Sequence, residues 1–428
     1  MDNSNMKYNV RDVPKKWWEW LLYPLQILLS VFVATVLIAN ICGTPISSCL
    51  LGACLGTLIY QIITKFRSPV FISSCGATVS AVCGALALNA AGNNYLMVFC
   101  GGLIILAVYG IFALIVKLTG IKWIDKIFPP TIIGAVTIVI GINLAAFING
   151  YTQVGGVHSD IGILIAIATM LITAVVSHYG KGFMKNIPFL FGIVGGYIIA
   201  LIFTWCGIKV VDFSSFNNMQ WYPDLTFLKW QSSDWSWVNL GRTCLFFIPV
   251  AICALLEHIS DHKVLSNIIG QDLINDPGLH RTLLGDGVAS ALGTLTCGLP
   301  NTSYGESIAT IGFSRVASVW VTSVAAVLLG LMSFIGPVSA FIQSIPSCVF
   351  GGCAMILYGF IAASGLKTII NNKVDLNNNK NLTVICVILT VGVSGIWLFD
   401  AAFSGVALAM ILGVVLNLIL REKEPKTN

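Results

Sequence analysis

Residues 254–315 read ALLEHISDHKVLSNIIGQDLINDPGLHRTLLGDGVASALGTLTCGLPNTSYGESIATIGFSR, and three acids in this stretch decide how the chain is interpreted. Glu257, Asp261 and Glu306 lie inside or at the ends of apolar runs. A carboxylate near the centre of a bilayer costs about 2.5–3.5 kcal/mol on insertion scales, so it faces a protein interior or a water-filled cavity. There it binds a ligand or carries protons. The stretch therefore predicts a binding site inside a membrane transporter.

The composition of the whole chain agrees with a membrane protein. Of the 428 residues, 57% are hydrophobic and 10% are charged, whereas soluble proteins carry about 25% charged residues. The polar, basic residues 1–17 lack the apolar core and cleavage site of a signal peptide. The 13 cysteines lie almost wholly in apolar segments, without the spacing of a disulfide framework or a metal site. We therefore predict a multi-pass membrane protein without a metal or other cofactor.

Apolar runs of about 20 residues, the length that crosses a bilayer, occur twelve times. They cover residues 20–41, 47–64, 95–116, 127–149, 159–178, 187–206, 242–261, 283–298, 316–336, 345–366, 381–398 and 401–420. A polar, aromatic segment at 207–241 separates the two sets of six and is predicted to lie outside the membrane. The stretches 70–93 and 299–313 are interrupted by small and polar residues, which predicts irregular or strand-like backbone. Counting both as spans predicts an all-α polytopic fold with fourteen transmembrane segments, seven in each half.

The distribution of basic residues agrees with this count. Fourteen spans that start from a cytoplasmic N-terminus place only three of the 23 basic residues on the outer side of the membrane. These are Lys209, Lys229 and Arg242. Cytoplasmic loops carry an excess of Lys and Arg, and one missed span would reverse this bias for half of the chain. Both termini are therefore predicted to be cytoplasmic.

A faint internal repeat indicates how the halves are related. FPPTIIGAV at 128–136 resembles IPSCVFGGC at 345–353, and each opens the fifth span of its half. Because each half has an odd number of spans, the halves must be inverted relative to each other. Transporters of this type bind substrate near the midplane, where discontinuous helices meet. The interrupted stretches are the third and tenth spans, and their free N–H groups and helix N-termini can donate hydrogen bonds to a ligand.

The three acids are the candidate ligand-binding and proton-coupling groups. Glu257 and Asp261 are four residues apart and share one face of the eighth span. Glu306 follows Gly305, where the backbone can approach a ligand closely. Acids at this depth commonly form proton relays. The alternative, that they bond polar backbone inside the bundle, is stronger for Asp261, which is expected near the cytoplasmic end of its span.

The predicted donors and acceptors suit a planar base. Carboxylates accept from ligand N–H groups, and backbone amides near Gly305 and Gly76 would donate to carbonyl oxygens. A pyrimidine or purine base has this pattern, and Tyr304 and Tyr358 are candidates to pack against its ring. We interpret the neighbouring His258 and His262 as structural or interfacial, and Asp286 as a residue that caps or anchors the ninth span.

Four motifs closely resemble the nucleobase–ascorbate transporter family of nucleobase:cation symporters, and within it the bacterial uracil permeases. They are EH at 257–258, DPGLHR at 276–281, PNTSYGES at 300–307 and LYG-x-x-AASG at 357–365. The resemblance implies two inverted seven-span repeats, split into a core and a gate domain, with short strands in the third and tenth spans. The implied domain ranges are 1–126 and 242–336 for the core, and 127–241 and 337–428 for the gate.

The resemblance also implies a function. It is proton-coupled import of uracil across the bacterial cytoplasmic membrane, by movement of the core against the gate. Glu257 and Glu306 would bind uracil, and the amides of Gly76 and Gly305 would meet its oxygens. Ala34, Tyr304 and Tyr358 would pack around the ring. The coupling ion would be a proton, carried by Glu257, Asp261 and Glu306, and the family implies a homodimer through the gate domains.

Departures from the family pattern leave alternatives open. Asp261 stands where uracil permeases often carry His and resembles the purine-transporting branch. Gly76 replaces a Phe of the third span, and Ile27 replaces a His of the first. A xanthine, purine or broad-range base permease is therefore the alternative. An anion transporter of the same architecture is disfavoured by the acids, and an enzyme is not expected because no HExxH or nucleophile-elbow motif occurs. No nucleic-acid partner is expected.

Overall fold

A computed structural model describes residues 6–89, 91–146, 148–154, 157–181, 184, 187–217, 221–223, 225, 234–396 and 405–420. Parts of the predicted outer segment 207–241, including Lys229, lie outside the described residues, as do the beginning of the last predicted span and the C-terminal tail. Among the described residues the chain is predominantly helical, with four short strands.

The elements, in chain order, have the following bounds. They are α1 Glu19–Cys42, α2 Ile46–Ile63, β1 Ile72–Ser74, α3 Val79–Leu86, α4 Tyr95–Thr119, α5 Lys122–Ile127, α6 Pro130–Ala145, α7 Ile148–Tyr151, β2 Gln153–Val154, β3 Val157–His158, α8 Asp160–Tyr179, α9 Pro188–Trp205, α10 Trp237–Ile269, α11 Leu279–Leu295, β4 Asn301–Ser303, α12 Gly305–Ser314, α13 Val319–Met332, α14 Gly336–Ser344, α15 Ser347–Asn371, α16 Asn379–Val393 and α17 Gly405–Ile419. Short turns at Gly76–Thr78, Ser214–Phe216 and Ile274–Gly278 complete the order.

Every predicted apolar run contains a helix, but two details differ from the prediction. Helix α10 has 33 residues and continues to Ile269, well beyond the predicted end at 261. Helix α14 follows α13 after a bend of 83° and was not predicted. Within the described part of the chain, eight helices are long and apolar enough to cross a membrane, or nine if this bent pair is one span. The count of fourteen spans stays a prediction.

The helices pack in two groups. In the first, α11 lies against α2 and α4, α13 lies against α2 and α1, and α10 lies against α3 and α4. In the second, α15 lies against α6, α8 and α9, and α16 lies against α6 and α17. Helices α1 and α10 of the first group also contact the second. The division into core and gate domains stays a prediction.

The two interrupted spans meet through their strands. β1 and β4 pair antiparallel, with Ile72 opposite Ser303 and Ser74 opposite Asn301. Each strand leads within two residues into a turn or helix, Gly76–Thr78 and α3 after β1 and α12 after β4. Both half helices therefore begin beside the strand pair.

Helices α6 and α15, which begin in the two repeated motifs, approach each other at glycines. A Cβ on Gly365 would lie 2.5 Å from the carbonyl oxygen of Gly134 and 2.8 Å from the amide of Ile138. A Cβ on Gly141 would lie 2.5 Å from the amide of Ala362. Small residues allow such close backbone contact between helices in a bilayer.

Substitution of Gly365 by Ala should therefore destabilise the protein, because the new methyl group meets backbone atoms that cannot rotate away. Overpacking of this kind costs about 1–3 kcal/mol. The matched control is Gly359→Ala in the same helix, where a Cβ meets no atom within 4 Å. Thermal unfolding in detergent should show a lower midpoint for Gly365→Ala only. Equal midpoints for the two variants would contradict the contact.

The N-terminal segment is not a free tail within the described residues. Lys7 and Tyr8 donate to the Glu19 carboxylate at 2.8 and 2.7 Å, and Lys7 also donates to Tyr23. Backbone bonds join this segment to residues 315–319, directly after α12. The hydrogen bonds to Glu19 and Tyr23 raise the pKa of Lys7 above its ordinary value. The pKa of Lys7 is higher in the folded protein than its value of about 10.4 in the unfolded chain, so the charged lysine contributes its full stabilisation at every pH below that value. The contact therefore persists at physiological pH.

Candidate functional site

A cavity of about 1240 Å³ lies between the two helix groups. Its lining comes from α1, α10, the strand pair and α12 on one side, and from α6, α8, α9 and α15 on the other. Small-molecule pockets usually measure about 300–1,000 Å³. This cavity is larger because it extends to exposed residues such as Gln271, Asp272 and Asn371. Those residues lie at the end of the protein that the charge distribution predicts to be cytoplasmic.

The three predicted acids line this one cavity. Glu257, Asp261 and Glu306 are each partly exposed to it. Asp261 is not at the end of its helix, as expected from the sequence, because α10 continues for two further turns. Its Oδ2 accepts a hydrogen bond from Ser303 of β4 at 2.7 Å. The cavity therefore brings together carboxylates that are 45 and 49 residues apart along the chain.

The amides at the N-terminus of α12 lie beside the same space. In α12, the amides of Ser307 and Ile308 both donate to the carbonyl of Tyr304. The amides of Gly305 and Glu306 precede them and have no backbone acceptor among the described residues, as expected at a helix N-terminus. Gly305 is exposed and lines the cavity. Gly76 follows the partner strand β1. It begins the short turn that leads to α3 and also lines the cavity.

Buried side chains fix the strand that positions Glu306. The Asn301 amide donates to the carbonyls of Gly52 and Ala289 at 2.9 and 3.0 Å. Ser290 of α11 donates to the Asn301 carbonyl. A Cβ on Gly56 would lie 2.7 Å from the Asn301 nitrogen, so glycine lets α2 come close enough for this anchoring. The strand is thus fastened to two helices, and α12 begins at a defined point.

Only some of the residues that were predicted to pack around the base line the cavity. Ala34 and Tyr304 line the cavity. Tyr358 does not, because it is buried at 2% exposure, and its neighbours Leu357 and Ile361 line the cavity instead. The Gly76 position is open, since a Cβ there would meet only methyl groups at 3.8 Å.

The sequence interpretation missed two aromatic residues. Phe189 of α9 and Phe360 of α15 line the cavity, with ring centroids 6.3 Å apart in an edge-to-face arrangement. Phe360 occupies one of the variable positions of the LYG-x-x-AASG motif, which is the signal that could have identified it. Neither residue carries a polar group, so charged residues inside apolar runs, on which the prediction was based, do not indicate them.

The structure places Asp286 and the two histidines inside the protein. Asp286 does not cap α11, because it lies in the eighth position of the helix and is fully buried. Its Oδ2 is 2.6 Å from His258 Nδ1, and Thr302 donates to the same oxygen at 3.1 Å. His258 and His262 are also fully buried, which agrees with the structural alternative and not with the interfacial one. No sequence spacing connects residue 258 with residue 286, since the helices meet only in the folded protein.

Comparison with known proteins gives the family. A family model described as a permease family, and named for xanthine and uracil permeases, matches residues 18–401. The chain belongs to this family. A uracil permease of Bacillus subtilis (strain 168) is 38% identical over 98% of this chain and 96% of the relative. A uracil permease of Escherichia coli (strain K12) is 35% identical over 93% of this chain and 90% of the relative.

Membership of the permease family makes this protein a multi-pass membrane transporter and not an enzyme. A solved structure supports the fold at lower sequence similarity. The transmembrane domain of the cyanobacterial bicarbonate transporter BicA aligns with a TM-score of 0.67 and 15% identity. The alignment covers 95% of this chain and 99% of BicA. At this identity the likeness concerns the fold alone.

Proposed function

We propose that this permease imports uracil together with protons across the bacterial cytoplasmic membrane. The observation that carries the proposal is the cavity in which Glu257, Asp261 and Glu306 lie beside the half-helix amides at Gly305 and Glu306. Carboxylates accept from the N–H groups of a pyrimidine ring, and amides donate to its carbonyl oxygens. Relatives named uracil permease over nearly the full length favour this base.

The two helix groups provide a mechanism for import. The proposed binding groups belong to the first group, and α6, α9 and α15 of the second group line the opposite side of the cavity. Sliding of one group against the other would expose the acids to each side of the membrane in turn. In the proposed orientation both termini are cytoplasmic and the cavity opens inward. A homodimer through the second group is part of this proposal.

Transport in proteoliposomes tests the proposed function. Labelled uracil should accumulate under an inward proton gradient, and a protonophore should abolish the accumulation. Protein-free vesicles measure leakage. Absence of accumulation under the gradient would contradict proton coupling, and absence of any uracil exchange would contradict uracil as the substrate.

A purine or broad-range base permease is the second candidate function. Two observations favour it, namely that Asp261 lines the cavity and that the Gly76 position is open. An excess of unlabelled xanthine in the uptake assay separates the candidates. Inhibition by xanthine would favour the broader specificity, and uptake that ignores xanthine would favour a dedicated uracil carrier.

A further inference from the structure

A second cavity lies at the end of the first helix group that is predicted to be cytoplasmic. Its volume is about 450 Å³, and three segments of the chain line it. The lining residues are Arg11 and Val13 of the segment that precedes α1, Lys65 and Phe66 directly after α2, and Val319 and Trp320 of α13. None of these residues lines the cavity that contains the three acids. The proposed transport of a base therefore does not account for this second cavity.

Hydrogen bonds fasten the three segments to one another. The amide of Val319 donates to the carbonyl of Val10 at 2.9 Å, which joins the start of α13 to the N-terminal segment. The hydroxyl of Thr322, one turn further along α13, donates to the carbonyl of Pro69 at 3.0 Å. This second bond joins α13 to the segment between α2 and β1. The walls of the cavity are thus held in place by the fold.

Two cations line this cavity without an anionic partner. Arg11 and Lys65 are exposed, and neither side chain forms an ion pair or a hydrogen bond with a residue that the structure describes. By contrast, Arg67, two residues after Lys65, is paired with Asp276. Among the described residues no acid lines the cavity. Arginine and lysine are the side chains that bind phosphate groups, so the charge of this cavity suits a phosphate.

The remainder of the lining is apolar and aromatic. The rings of Phe66 and Trp320 stack with centroids 5.3 Å apart and an angle of 17° between their planes. Trp320 is 40% exposed and Val13 is 51% exposed. Tryptophan is enriched where a membrane protein meets the lipid headgroups, and Trp17 of the same N-terminal segment is also exposed. An exposed apolar surface beside two cations suits a ligand that has both a phosphate and hydrocarbon chains.

The backbone at Lys65 and Phe66 adopts a conformation that is unfavourable for residues with a side chain. The angle φ is 56° at Lys65 and 54° at Phe66. Their amides end α2 by donating to the carbonyls of Ile62 and Gln61 at 3.1 and 2.8 Å, which accounts for the turn. Glycine is the usual residue in such a turn because it has no Cβ. A lysine and a phenylalanine in this turn, both lining the cavity, indicate a role beyond ending the helix.

We propose that this cavity binds one anionic phospholipid of the cytoplasmic leaflet. Arg11 and Lys65 bind the phosphate of the headgroup, while Val13, Phe66 and Trp320 contact the hydrocarbon chains. Basic pockets between helices on the cytoplasmic side of a membrane bind anionic headgroups in this way. The bound lipid connects the N-terminal segment, the segment before β1 and the helix that follows α12, so it stabilises the first helix group. The inference does not depend on which base is transported.

Native mass spectrometry of the full chain in detergent tests the proposal by comparing the binding of phosphatidylglycerol and phosphatidylcholine. The wild type should bind phosphatidylglycerol more tightly, because only this lipid has a net negative charge. The double variant Arg11→Gln, Lys65→Gln should bind phosphatidylglycerol about 25-fold more weakly, at about 5-fold for each cation near an anionic lipid. Its affinity for phosphatidylcholine should remain that of the wild type.

The double variant Lys15→Gln, Lys16→Gln is the matched control. Both lysines are exposed in the same N-terminal segment and neither lines the cavity, so this variant loses the same charge elsewhere. It should retain the affinity of the wild type for phosphatidylglycerol. An equal loss in the two double variants would show a diffuse attraction between charges and would overturn the site. Equal affinities of the wild type for the two lipids would overturn it as well.

A soluble headgroup distinguishes a lipid from a free phosphate as the ligand. Glycerol 3-phosphate has the phosphate without hydrocarbon chains, so it should displace phosphatidylglycerol only at a large excess. Displacement at equal concentration would identify a soluble phosphate compound as the ligand and would overturn the lipid site. Thermal unfolding without added lipid establishes that each variant is folded. If the variant of Arg11 and Lys65 is not folded, Trp320→Ala provides the test, since unchanged binding of phosphatidylglycerol by that variant would contradict the proposal.

Discussion

Replacement of Glu306 by Gln is expected to lower uracil binding and uptake by about 10-fold to 150-fold, since a hydrogen bond to a charged group contributes about 1.5–3 kcal/mol. Glu306 stands at the N-terminus of α12 and is partly exposed to the cavity. The amide of Gln offers one neutral acceptor where the carboxylate offered two charged ones. Glu257→Gln should have an effect of the same order, because Glu257 lines the same cavity from α10.

Binding of labelled uracil to protein in detergent and uptake into proteoliposomes measure the effect of these two substitutions. Ser30→Ala is a control from the same cavity, because the Ser30 hydroxyl already donates to the Ile27 carbonyl within its own helix at 2.7 Å. It should bind uracil as the wild type does. Wild-type uptake in both glutamine variants would refute the assignment of the acids, provided that thermal unfolding shows all three variants to be folded.

Local sequence patterns predicted the parts of this protein that depend on a few neighbouring residues. Each of the twelve apolar runs contains a helix, because the length of a run and its hydropathy directly reflect the thickness of a bilayer. The interruptions at 70–93 and 299–313 contain strands β1 and β4, because glycine and serine runs do not sustain a helix there. Acids inside apolar runs identified residues of the cavity, because a carboxylate at bilayer depth is costly unless it faces a protein interior or a water-filled cavity.

Such local patterns do not predict contacts between helices that are distant in sequence. The Asp286–His258 pair joins residues on α11 and α10, and position 286 near the start of an apolar run resembled a helix cap. Tyr358 follows the motif of the family, yet helix rotation buries it and turns Leu357 and Ile361 to the cavity. The length of α10 was underestimated because polar residues interrupt the apolar pattern in its last two turns, although these continue the same helix.

A phenylalanine at position 76 should narrow the specificity of the carrier. A Cβ at Gly76 would have only ordinary contacts, 3.8 Å to methyl groups of Ile38 and Leu144, and the backbone does not adopt a positive φ there. The side chain can therefore be accommodated, and its ring would occupy space that is open in the wild type. Because crowding an occupied site costs about 1–3 kcal/mol, xanthine should compete with labelled uracil about 5-fold to 150-fold less well in Gly76→Phe than in the wild type.

Competition by unlabelled xanthine during uracil uptake measures this change, with Gly76→Ala as the control. The single methyl group of alanine leaves the space open, so this variant should respond to xanthine as the wild type does. Equal inhibition of Gly76→Phe and wild type would mean that a second ring does not lie beside residue 76. A wild-type protein that ignores xanthine would equally contradict the argument, because the open position would then admit no larger base. In that case Asp261, which bonds Ser303 beside the cavity, becomes the residue whose effect on base selection should be measured.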